Sequence, residues 1–275
     1  MQADSSRITR AQAEALVAGL HFQRGDINLQ NGLATLHVPE GFRFLDGPDA
    51  HTVLVDLWGN PPRANPLGML MPATVNPLGA DRWGIIILYE DIGYISDADA
   101  ARINYANLLA EMQKDLETAN EAREKAGYRP MHLVGWAKAP TYDASTHKLA
   151  WAKEINNGEG TPNTLNYNIR VLGRGGVLVL SVVAPMARLH QIEQSIPKIL
   201  ASVEFNPGFR YDDFKIGPDK VAPFGLAGLV AGGNTPKSDS SDLHRRLVIA
   251  LIILVGIAVV AVWSRKRSKN KGRIA

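Results

Sequence analysis

Residues 247–263 (LVIALIILVGIAVVAVW) form a run of seventeen positions without a charged side chain. Such a run has few structural options. Apolar all round, it is a helix enclosed by protein or a helix enclosed by lipid. As a helix it covers about 25 Å, the lower end of what crosses a hydrocarbon core. Its flanks favour lipid. Arg245 and Arg246 precede it, and Arg265, Lys266, Arg267, Lys269, Lys271 and Arg273 come after it. Long basic side chains can snorkel to headgroups and make up the missing length, and Trp263 stands where an interfacial aromatic belongs. The stretch 245–265 therefore reads as one transmembrane helix and 266–275 as a basic tail. The partners this implies are the bilayer and, through the tail, anionic lipid headgroups.

The formal net charge of +3 hides a division between tail and body. Residues 245–275 hold eight of the 30 Lys and Arg and none of the 27 Asp and Glu. The rest of the chain carries 22 basic against 27 acidic side chains, a net of −5. A mildly acidic body argues against nucleic acid, which calls for a basic patch on the folded part. Cysteine is absent, so disulfides, thiol nucleophiles and most structural zinc sites are excluded. The positive-inside rule puts the six cations after the run in the cytoplasm and the acidic body outside. That topology calls for an export signal, and the first residues (MQADSSRITRAQAEALVAGLHF) contain no apolar core of one. They read instead as an amphipathic helix within 1–24, with Ala11, Ala15, Leu16 and Leu20 on one side.

Within 25–222, the run GDINLQNGLATLHVP predicts a hairpin turning at Asn31-Gly32 as type I′. Further apolar strand candidates are 52–57, 83–89, 131–137, 148–153, 164–172 and 177–184. The last two flank Gly173-Arg174-Gly175-Gly176, a hairpin turn. Residues 177–183 (VLVLSVV) are almost continuously apolar and predict a central strand buried on both faces. Two helices interrupt the strands. One is capped within 96–99, buries Ile103, Tyr105, Leu108, Leu109, Met112 and Leu116, and stops near Gly127. The other runs from about Met186 with Leu189, Ile192, Ile196 and Ile199 inward, and Pro197 is expected to break or kink it. Short turns between consecutive strands demand antiparallel pairing, so the fold class is α+β, an antiparallel sheet with packed helices. Residues 223–244 combine an apolar, Gly-rich segment (PFGLAGLVAGG) with a polar linker. The former either packs on the anchor through Gly228 and Gly232 or docks on the domain.

Long motifs in the body resemble the bacterial family called domain of unknown function 2167. They are VPEGF (38–42), DLWGNPP (56–62), GYISDADA (93–100), GW (135–136), YDASTHKLAWAK (142–153), LNYNIRVLGR (165–174) and RYDDF (210–214). The resemblance covers most of 25–233. It implies membrane anchoring and an export signal, and it brings no activity with it. By analogy only, the Val-Pro-x-Gly-Phe entry before antiparallel strands and a late helix is similar to PsbP-like domains.

Chemistry-bearing residues are few. Asp97-x-Asp99 opens like a calcium loop, but Ala101 and Leu108 occupy positions where oxygen ligands are needed, so an acidic first turn is favoured. Gly173-Arg174-Gly175-Gly176 leads into a strand rather than a helix, which disfavours a phosphate cradle. Asp143 and His147 flank a turn and could face each other as a carboxylate and a general base, or simply close that turn. No Gly-x-Ser-x-Gly elbow accompanies them. Asn166, Asn168 and Arg170 alternate with apolar neighbours, so they line either the solvent face of a strand or a groove for a polar ligand. Trp58 and Asn60, before two prolines, form a recognition tip or a core-closing end. Seven histidines without His-x-x-x-His spacing give no metal site, and no cofactor is read. The expected role is a membrane-anchored binding or interaction module at the cell envelope, with an Asp143/His147 hydrolase as the alternative.

Overall fold

The computed structural model describes residues 8–60, 65–125, 128–158 and 160–232. Two antiparallel sheets and five helices are present among them, an α+β architecture. The elements are α1 (Arg10–Ala18), β1 (Asp26–Leu29), β2 (Ala34–His37), β3 (Phe42–Asp46), α2 (Gly47–His51), β4 (Gly68–Pro72) and β5 (Ile85–Glu90). Then come α3 (Tyr105–Lys125), β6 (His132–Asp143), β7 (Lys148–Asn156), β8 (Thr164–Leu172), β9 (Val177–Pro185), α4 (Leu189–Ala201), β10 (Val203–Phe205) and α5 (Leu226–Ala231). The large sheet runs β3-β4-β5-β9-β8-β7-β6 and the small one β1-β2-β10.

As its apolar run predicts, β9 is the middle strand, paired with β5 on one side and β8 on the other. One face of the large sheet packs against the small sheet and α4. There Tyr167, Ile169, Leu178, Leu180 and Val182 meet Leu36, Ile192, Ile196, Ile199, Val203 and Phe205. The opposite face is covered by α3 and α5, with Leu149, Trp151, Val177 and Val179 meeting Leu108, Met112, Leu226, Leu229 and Val230. The core thus extends past residue 222 and includes α5, which docks on the domain.

Several local expectations are corrected. Residues 52–57 are not a strand but a π-helical turn, Thr52–Leu57, that continues α2. Asp46 caps α2 by accepting from the Asp49 N–H, and a proline in its first turn pre-sets the helix. A short apolar run does not distinguish helix from strand by itself, and the cap upstream decided. The β1–β2 hairpin forms, but Leu29 pairs with Ala34. The turn is therefore longer than two residues, with Gln30, Asn31 and Gly32 all at positive φ. Asn104, not 96–99, caps α3, accepting from Ala106 and Asn107 N–H at 3.1 and 3.0 Å. Asp99 instead caps α5 from a distance, accepting from the Leu226 and Ala227 N–H groups, both at 3.1 Å. Helix α4 continues through Pro197 to Ala201. The proline ring sits on the exposed side, so water can take the carbonyl it leaves unpaired while the Ile192, Ile196 and Ile199 stripe stays buried. The inner side of α1 is Ala13, Leu16 and Val17; Ala11 and Ala15 are exposed. Gly127 and the segments 245–265 and 266–275 lie outside the described residues. Among the described residues no helix is long and apolar enough to cross a membrane.

Gly68 shows how closely β3 and β4 approach. A side chain there would run into the Phe44 ring and the Leu45 carbonyl. Gly68→Ala is expected to cost about 1–3 kcal/mol through overpacking. Phe44→Leu should recover part of that loss in the double variant, read as a denaturant midpoint. An unchanged midpoint for Gly68→Ala alone would contradict this packing.

Candidate functional site

Strands β7, β8 and β9 place their side chains in rows on the face beneath α3 and α5. Leu149, Arg170 and Val179 form one row; Trp151, Asn168 and Ser181 form the next; Lys153, Asn166 and Val183 form the third. Residues directly opposite in an antiparallel sheet share a face, so the alternation seen in β8 becomes a polar floor across three strands. That floor is not solvent-facing: Asn166 and Asn168 are each 6% exposed and Lys153 is 8% exposed. Asn166 and Asn168 therefore face inward beneath the helices and do not lie on the solvent face.

The floor is short of partners. Asn168 donates to the Asn166 side chain, so the two amides satisfy each other in part. Arg170 lies over the Trp151 ring at 5.1 Å and gives one N–H to the Ile169 carbonyl. Arg170 Nε, Trp151 Nε1 and Ser181 Oγ are enclosed and have no hydrogen-bond partner. Neither cation has a carboxylate in contact among the described residues. Burial, with Arg170's charge second, pushes the Lys153 ammonium down to about 8. Burial likewise pushes Arg170 down to about 10, against the weak opposing pull of Glu90. A buried ammonium without a counter-charge is costly unless something else in its working state offsets it.

A second polar group closes the end of the sheet. His147, at φ +52°, sits in the β6–β7 turn. Its Nδ1 lies 3.0 Å from the Tyr142 hydroxyl, which donates to Asp97 at 2.8 Å. Tyr142 thereby spends its only proton, so Nδ1 must be the donor to it. His147 Nε2 faces Asp212 at 3.4 Å. The imidazole stacks on Tyr211 at 4.0 Å, in a column with Tyr94 and Phe214. Burial first, and then the bond to Asp97, hold the Tyr142 hydroxyl well above its ordinary pKa.

The expected Asp143/His147 pair does not form. Asp143 accepts from the Ser145 N–H and hydroxyl and from Thr146 instead, closing the turn. His147 takes Asp97, Tyr142 and Asp212 as neighbours, and no serine or threonine hydroxyl among the described residues stands against its Nε2. Trp58 is held inward, its indole N–H donating to the Pro77 carbonyl at 2.9 Å, so it is a packed residue rather than a recognition tip. Asn60 is buried too, its N–H donating to the Leu54 carbonyl at 2.9 Å, and its amide oxygen has no partner among the described residues. Trp58 and Asn60 lie apart from the polar floor. Among the described residues no three His, Asp or Glu side chains come together as a metal site. Lys153 and Ser181 escape sequence reasoning. Their one signal is a period of two, Lys153 two residues after Trp151 and a lone serine inside VLVLSVV.

Fold and face define an α+β domain whose antiparallel sheet carries a buried cationic patch. The chain belongs to the family described as protein of unknown function (DUF2167), matched over residues 21–262. Three of the segments that carry the resemblance, 93–100, 142–153 and 210–214, converge on the aromatic column around His147. No curated protein matches the chain. Similar solved structures include the PsbP protein of the cyanobacterium Synechocystis, at 11% identity and TM-score 0.39 over 67% of this chain and 92% of that one. Another is the Ran-binding protein Mog1p of Saccharomyces cerevisiae, at 13% identity and TM-score 0.35 over 68% and 96%. A third is LpqN of Mycobacterium tuberculosis, involved in cell envelope biogenesis, at 15% identity and TM-score 0.33 over 74% and 99%.

Proposed function

We propose that this chain is a membrane-anchored binding module of the cell envelope. Its α+β domain takes a ligand on the sheet face of Trp151, Lys153, Asn166, Asn168, Arg170 and Ser181. One observation carries the binding role. The floor of that face holds two cations with no carboxylate in contact among the described residues, and three enclosed groups there, Arg170 Nε, Trp151 Nε1 and Ser181 Oγ, have no hydrogen-bond partner. A domain selected for stability alone would fill such positions with apolar residues. The anchoring half of the proposal rests on the 247–263 run and its basic flanks. The hydrolase alternative loses its support, since Asp143 and His147 are separately engaged.

Deleting 245–275 is expected to move the protein from the membrane fraction to the soluble fraction, still folded by circular dichroism. Retention of the truncated protein in membranes after a high-salt wash would overturn the anchor. Orientation is tested by single cysteines. One at Ser240 should label with an impermeant thiol reagent once any outer barrier is opened, and one at Ser268 only after the inner membrane is broken. The reverse pattern would place the domain in the cytoplasm and overturn the envelope role.

A further inference from the structure

We infer that the ligand of this face is a phosphate monoester, its phosphoryl oxygens held by Lys153 and Arg170. The inference rests on reading the face as a ligand site and names the chemistry that site selects. The unspent capacity is almost wholly of one kind. Arg170 offers its enclosed Nε and Trp151 its enclosed indole N–H, and Lys153, 8% exposed, adds an ammonium with no ion-pair partner among the described residues. Ser181 adds a hydroxyl in the same row as Trp151. Asn168 has turned its amide protons onto Asn166, leaving Asn166 its own. This donor supply exceeds the roughly four lone-pair sites of one carboxylate and suits the oxygens of a phosphoryl group.

Charge agrees with donor count. The carboxylate whose charge reaches Arg170 is that of Glu90 on β5, opposite Val177, and it makes no ion pair with the guanidinium. Lys153 therefore feels Arg170's charge while neither has a carboxylate in contact among the described residues, and an arriving dianion would relieve both. Arg170 is also pre-oriented. Its guanidinium lies over Trp151, so little freedom is left to lose when it accepts the ligand. The neighbouring positions on β5 and β9, Ile86, Leu88 and Val183, are only half-buried and apolar. They offer a place for the organic part of the ester. A free phosphate monoester and the headgroup of phosphatidic acid present the same dianionic group, and a domain tethered beside a bilayer meets both.

The full chain in phosphatidylcholine nanodiscs tests this by thermal unfolding and calorimetry. Probes are glycerol 3-phosphate in solution and, separately, phosphatidylcholine nanodiscs containing phosphatidic acid, whose headgroup is a phosphate monoester. Lys153→Met removes the unpaired charge at similar volume, so it should raise the ligand-free Tm while weakening either phosphate response by about tenfold or more. Arg170→Gln should weaken the same response. A response to glycerol 3-phosphate identifies a free ester. A response to phosphatidic acid alone that Lys153→Met removes identifies a lipid headgroup, and one that Lys153→Met leaves intact belongs to the basic tail and overturns the inference. If Lys153→Met raises Tm but succinate binds and neither phosphate probe does, the ligand face stands and the phosphate assignment falls. If Lys153→Met lowers Tm and no probe binds, the cation is structural and the ligand face falls with it.

Discussion

Leu180→Ala should lower the unfolding free energy by about 2–5 kcal/mol. Leu180 is 1% exposed and lies on β9, which has a strand paired along each side. It packs into the cluster shared by the large sheet, the small sheet and α4. Truncation removes the transfer free energy of the lost methylenes, and the void cannot collapse, because β5 and β8 hold the backbone on both sides. Val134→Ala on the edge strand β6 is the control. Val134 is exposed, and its change should stay within about 0.5 kcal/mol. Denaturant unfolding of both variants checks the comparison, with hydrogen exchange as a second reading. Amides of 177–183 should be among the last to exchange, and finding them among the first would overturn the placement of β9.

The second large effect is a pH dependence to which Lys153 contributes most, with Lys148 also lowered by burial. Burial, and next the charge of Arg170, push the Lys153 ammonium down to about 8 in the folded state, from an ordinary 10.5. Between those values the unfolded chain holds a proton at this site that the folded chain has released. Stability must therefore rise with pH across that window. Taken over the full interval the gain is on the order of 3 kcal/mol. Above about pH 10 the trend reverses for other reasons. Tyr142, Tyr167 and Tyr211 are held above their ordinary values mainly by burial, so their contribution is lost as the unfolded chain ionises first. The interval to read is about pH 8 to 10, and Lys153→Met should reduce the slope there to the smaller share that Lys148 supplies. Equal slopes for the two proteins in denaturant titrations would show that Lys153 is not the group responsible.

Strands were most legible where neighbours along the chain are also neighbours in the sheet. The limits of β7, β8 and β9 track their apolar runs, and the Gly173-Arg174-Gly175-Gly176 turn joins β8 to β9 as its glycines require. Gly176 could carry no side chain there, because a Cβ would meet the Glu90 carbonyl of β5. The buried stripe of α4 was legible for the same reason, since a 3.6-residue period is a local property. Residues 52–57 were not, because a six-residue run with only four apolar positions satisfies either period until the Asp46 cap is taken into account.

The candidate site divides along the same line. Alternation in β8 shows that Asn166, Asn168 and Arg170 share a side, but a strand viewed alone has two sides and no inside. Pairing with β7 and β9 set Lys153, Trp151 and Ser181 beside them, and α3 and α5 closed over that face, turning a polar edge into a buried floor. His147 is similar: Asp143 is its neighbour in sequence, yet Asp97 and Asp212 reach it through the fold. By itself the sequence determined the α+β class, the central strand, the cationic tail beside an apolar run and the absence of thiol chemistry, all set by composition or short-range period. Tertiary structure alone decided which polar groups lose water together, because desolvation depends on the residues packed across a face and not on the next residues along the chain.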